Sequence, residues 1–189
     1  MKTFIFENKE ELYTTASLKL TKEKFQTLGL ATGNTMKPLY KKIRCLKNLK
    51  WQEKILFLLD EYYPLPKEHP ASFSSFIHDH LLQGIEYKIF FPWDSMDQNY
   101  KTICIDFEAN IKKYGGIDIQ LLGLGQNGHI AFNEPGSDKR SRARKVILSP
   151  STKEANAKNF KSDMPVEALS LGVENILESK KIYLLGFRI

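Results

Sequence analysis

Cysteine is nearly absent from this 189-residue chain, which has only Cys45 and Cys104. Neither lies in a CxxC or Cys/His ligand spacing, so the sequence supports no disulfide framework and no structural zinc site. No apolar run approaches the roughly 18 residues of a membrane helix. The stretch Met1 to Glu7 is too short, and too charged at its end, for a signal peptide. There is no internal repeat, low-complexity tract or linker to divide the chain. The expectation is a soluble, cytoplasmic protein with one domain over residues 1–189, a length that suits one well-packed core and is short for two.

Charge of one sign is not concentrated either. The 28 Lys and Arg exceed the 22 Asp and Glu by six, and they are scattered along the chain. Such a surplus suits an anionic small-molecule substrate better than a nucleic-acid stripe. Neither nucleic acid nor membrane is an expected partner.

What the sequence does hold is short apolar runs alternating with helical periodicity. Strands are expected at Lys2 to Phe6, Leu28 to Ala31, Ile55 to Leu59, Lys88 to Phe91, Ile117 to Leu124 and Lys181 to Leu185. Helices are expected over Asn8 to Gln26, Met36 to Leu46, Phe73 to Leu82 and Gln98 to Tyr114, with another closing at Ile176 to Ser179. This alternation predicts an α/β fold, a doubly wound, mostly parallel sheet with helices on both faces. In such sheets the ligand lies outside the carboxyl ends of the strands.

Three segments put polar groups at those ends. Thr32, Gly33, Asn34 and Thr35 combine hydroxyls and backbone N–H groups at a helix start, a combination that binds phosphate; a plain turn is the alternative. Asp60, with Glu61 and Tyr62, follows the most hydrophobic run. A carboxylate at the rim of an apolar core has a raised pKa and can act as a base, while a solvated loop acid or helix cap stays open. Gly123 to His129 and Phe132 to Gly136 place glycines beside Asn127, His129 and Glu134, a proton-moving set. His69, His78 and His80 stand near no second acidic cluster, so neither a catalytic metal nor a cofactor is expected.

Phe57 to Tyr62 with Leu65, Pro66, His69, Pro70 and Ser72, and above all GLGQNGHIAFNEPGS at Gly123 to Ser137, resemble the glucosamine-6-phosphate deaminase family. Further matches are LATGNT at Leu30 to Thr35, GGID at Gly115 to Asp118, SRAR at Ser141 to Arg144 and ALSLGV at Ala168 to Val173. The resemblance implies a Rossmann-like fold and conversion of glucosamine 6-phosphate and water to fructose 6-phosphate and ammonia, in amino-sugar catabolism. It implies that Asp60 moves the proton between C2 and C1 and that His129 assists ring opening, oriented by Asn127 and Glu134. Thr32, Gly33, Asn34 and Thr35 match the phosphate turn, and Lys158 falls where many members carry a phosphate-contacting Arg, though a plain surface lysine is the alternative.

The sequence also departs from the family. Asn127 stands where some members have Asp, Met36 replaces a frequent proline, and Val146 and Ile147 replace polar or cationic residues of allosterically regulated members. The family continues beyond the strand resembling Lys181 to Leu185 with a phosphate-contacting lysine and further segments, so the C-terminal part of the family fold is expected to be missing here. Homo-oligomers are left open. Two rival readings are the related 6-phosphogluconolactonase and an inactive relative that only binds sugar phosphate.

Overall fold

The computed structural model describes residues 1–125, 127–160 and 164–187. Gln126 of the glycine-rich motif and Arg188 and Ile189 of the chain end fall outside the described residues. The main sheet is built from β1 (Thr27–Leu30), β2 (Ile55–Leu58), β4 (Ile89–Phe91), β5 (Ile119–Gly123) and β8 (Lys181–Leu185), all parallel, in the order β4-β2-β1-β5-β8. β1 and β2 are buried along their whole length, as continuous apolar runs require when both faces of a parallel sheet are covered. Leu28, Leu30, Ile55, Leu56, Phe57 and Leu58 are fully sequestered, and each such side chain contributes roughly 1.5–3 kcal/mol by leaving water. Phe57 stacks on Phe91, and Trp93 stacks on Phe107 from α4 (Tyr100–Lys113).

Asp118 ties the amino ends of three strands together. Its carboxylate accepts from the N–H groups of Gln26 and Thr27 at the start of β1 and pairs with Lys180 before β8. Burial pushes this carboxyl up, but Lys180 and the two amides outweigh it and hold the pKa down to about 2.

The expected elements are largely present, and the exceptions have physical causes. Residues 1–6 form no strand: Phe4 and Ile5 are exposed, so the segment has no apolar face to bury. Helix α1 (Lys9–Thr21) starts at Asn8, whose side chain caps Glu11, and ends before Phe25 turns into the core. The single helix expected over Phe73 to Leu82 is a short α3 (Phe73–Ile77) that widens into a π-helical turn, His78–Leu82. A second sheet was not anticipated. β3 (Asp60–Tyr63), β7 (Glu167–Ser170) and β6 (Arg144–Ile147) pair antiparallel in the order β3-β7-β6. It forms because the chain leaves β2 through Leu59 and continues extended instead of turning, so Asp60 begins a strand and not a loop.

Candidate functional site

The strand order reverses between β1 and β5, and a cleft of about 890 Å³ opens there beyond the carboxyl ends of the strands. Asp60, His129, Lys158 and the turn Thr32 to Thr35 all line it.

Asp60 is only 5% exposed although it borders the cleft. Burial, and then repulsion from Glu61, hold its pKa well above the usual carboxylate range. Pairing with Ser170 on β7 fixes its backbone. Glu61, next to it on β3, is wholly buried and faces a different set of groups. Its carboxylate accepts from the Ser72 hydroxyl at 2.7 Å and from the N–H groups of Tyr62, Phe73 and Ser74 at 2.8–3.0 Å. Burial still leaves its pKa raised despite these four donors. Glu61 therefore anchors the start of α3, whose Ser72, Phe73 and Phe76 form one wall of the cleft.

His129 stands on the loop after β5. Its Nδ1 lies 2.7 Å from Asn127 Oδ1, its backbone N–H donates to the same oxygen, and Asn127 Nδ2 donates to Glu134 Oε2 at 2.6 Å. A flipped amide would set a carbonyl against the carboxylate, so Oδ1 must be the atom facing the imidazole. Nδ1 then carries the proton and Nε2 is left with its lone pair. Burial would raise the Glu134 pKa, but hydrogen bonds from Thr152, Asn127 and Ser149, with the nearby His129, hold it below the usual value. The loop that carries the imidazole is tight: Gly125 N–H donates to His129 C=O at 2.9 Å, and Gly128 adopts φ +89°.

At the other end of the cleft, Gly33 takes φ +98° and lets the backbone turn from β1 into α2 (Met36–Ile43), whose first turn has no side-chain cap. Lys158 ends α5 (Pro150–Ala157) and reaches the cleft together with Asn156. Asn127 and Glu134 do not line it themselves; Asn127 touches it through His129, and Glu134 is joined both to Asn127 and to the lining residue Thr152.

Sequence reasoning missed several lining groups. Lys37, in the first turn of α2, lies 5.6 Å above the Phe76 ring, and His80 packs edge-on to the same ring. Burial first, and then the charge of Lys37, lower the His80 pKa. Thr152 was also missed, as was Ser149 behind it, although Ser149 followed by Pro150 is a legible helix start: the Ser149 hydroxyl accepts from Thr152 N–H, and proline suits the first helical position. Among the described residues no three His, Cys, Asp or Glu side chains converge as a metal would require. None of the described helices is long and apolar enough to cross a membrane.

Fold and cleft together define a Rossmann-like α/β protein in which a buried carboxyl and a relay-held imidazole face one cleft at the strand ends. A family model described as glucosamine-6-phosphate isomerases/6-phosphogluconolactonase matches residues 3–186, and the chain belongs to that family. It is 42% identical to glucosamine-6-phosphate deaminase 2 of Bacillus subtilis (strain 168), covering 98% of this chain and 80% of that protein. A glucosamine-6-phosphate deaminase of Lysinibacillus sphaericus is 38% identical over 90% of this chain and 77% of its own length. Among solved structures, a monomeric glucosamine-6-phosphate deaminase superposes with a TM-score of 0.89 at 34% identity, over 97% of this chain and 81% of that one. The 6-phosphogluconolactonase from Leishmania guyanensis shares the fold, with a TM-score of 0.73 at 21% identity over 97% and 80% of the two chains.

Proposed function

We propose that the chain is a glucosamine-6-phosphate deaminase, releasing fructose 6-phosphate and ammonia from glucosamine 6-phosphate and water. One observation carries the reading: a buried carboxyl, Asp60, and an imidazole on an amide–carboxylate relay, His129, face one cleft. The two halves of the reaction need these two groups. Nε2 of His129 accepts the proton of the anomeric hydroxyl and delivers one to the ring oxygen, which opens the ring. The imidazolium formed in between is stabilised by Glu134, 3.8 Å away, through Asn127. Asp60, in its ionised form, removes the proton from C2 and returns it to C1. Its raised pKa makes it a stronger base than an exposed aspartate. A second proton passes from the amino nitrogen to O1, and the resulting imine at C2 takes up water and loses ammonia, leaving the ketose.

Thr32, Gly33, Asn34 and Thr35, with Lys158, take the phosphate in this reading. Lysine serves there as a point charge without the bidentate fork of an arginine. The reading extends to a cytoplasmic protein of amino-sugar catabolism, including that of N-acetylglucosamine, with residues 1–189 forming one sugar-phosphate domain. The test is to incubate the purified chain with glucosamine 6-phosphate and follow ammonia and fructose 6-phosphate together, with Asp60→Asn alongside. Equal release of both, lost in the variant, is expected. A folded chain that releases neither, or that hydrolyses 6-phosphogluconolactone instead, overturns the proposal.

A further inference from the structure

Glu134 uses its two oxygens for different partners. Oε2 accepts from Asn127, which holds His129; Oε1 accepts from the Ser149 hydroxyl at 2.9 Å and from the Thr152 hydroxyl. Ser149 caps α5 and Thr152 lies in its first turn, so the carboxylate also sits where a helix favours negative charge. Thr152 is the hub of this arrangement. It is 4% exposed and lines the cleft, its N–H donates to Ser149 Oγ, and its C=O accepts from the side chain of Asn156, another lining residue.

We infer that Thr152 is a positioning residue for His129, acting through Glu134 and Asn127. The terminal torsion of a glutamate is broad, so one oxygen must be pinned if the other is to stay aimed at Asn127. Of the two hydroxyls on Oε1, that of Thr152 is the more buried and does most of the pinning. Without it the carboxylate turns, the Asn127 amide loses the acceptor that sets its orientation, and Nδ1 of His129 loses its preference for carrying the proton. The same tie joins the catalytic imidazole to α5, which brings Asn156 and Lys158 to the cleft. The kinetic consequence rests on the deaminase reading, whereas the imidazole tautomer does not.

The test uses the whole chain with Thr152→Val, which keeps the shape and removes the hydroxyl, and Thr152→Ser, which restores it. Imidazole 15N spectra, assigned with His129→Gln, report the tautomer whether or not the chain turns over. The wild type is expected to hold the Nδ1-protonated form, the valine variant to shift toward Nε2–H, and the serine variant to recover. The kcat for glucosamine 6-phosphate is expected to fall roughly tenfold to a hundredfold in the valine variant, the loss of one charge-assisted hydrogen bond, with KM changed much less. A valine variant with the wild-type tautomer, whatever its kcat, overturns the inference, as does a serine variant impaired equally. A wild type that fails to deaminate sinks the deaminase reading alone, because the tautomer still decides this one.

Discussion

Adding a single methyl group at Gly125 is expected to disable the imidazole without unfolding the protein. A Cβ built there would lie 2.3–2.4 Å from Cε1, Nδ1 and Nε2 of His129, whereas ordinary contact begins at 3.4 Å. The backbone of Gly125 is outside the positive-φ region, so alanine brings no conformational strain and the collision is the whole effect. The Gly125 amide is bonded to the His129 carbonyl at 2.9 Å, which keeps the two backbones together and makes the ring move instead. A displacement of about 1 Å relieves the clash. The Nδ1 to Asn127 contact, now 2.7 Å, then lengthens beyond hydrogen-bonding reach. A catalytic group misplaced by 1 Å costs about a hundredfold in rate, or about 2.7 kcal/mol of barrier. The assay is steady-state ammonia release by Gly125→Ala, with the thermal midpoint and far-ultraviolet dichroism as controls for folding. A kcat within about threefold of wild type would refute the reasoning, because it would mean that the turn yields instead of the ring.

Three further outcomes are expected. Asp60→Asn abolishes turnover and also stabilises the fold near neutral pH. A carboxyl whose folded pKa is raised loses stability as pH climbs from its unfolded pKa through the folded one, and the amide removes that loss. Urea midpoints of both proteins between pH 4 and 8 should therefore diverge as pH rises; parallel curves would contradict the shift. Glu61→Gln is expected to cost on the order of 3 kcal/mol, since an amide nitrogen would face donors now bonded to a carboxylate, and chemical denaturation reads this directly. Lys37→Ala and Lys158→Ala are each expected to raise KM severalfold with little change in kcat, with the rise larger at low salt. An unchanged KM in both would remove Lys158 from phosphate recognition and Lys37 from substrate binding.

By itself the sequence determined the parallel sheet. The run Ile55 to Leu59 is apolar at every position, which only a strand covered on both faces accommodates. Asn127, His129 and Glu134 were legible as a unit because they lie within eight residues on one loop, where local geometry makes them neighbours. The antiparallel sheet was decided in three dimensions: its strands begin at residues 60, 144 and 167, and pairing at such separations leaves no local periodicity to read. The same holds for the chemistry of Asp60. Sequence position allowed a solvated loop acid, and burial against the β3 to β7 pairing made it a sequestered carboxyl with a raised pKa. Lys37, His80 and Thr152 reach the cleft only through the packing of α2, the π-turn and α5 around it, since which face of a short helix meets a ligand depends on what the other face packs against.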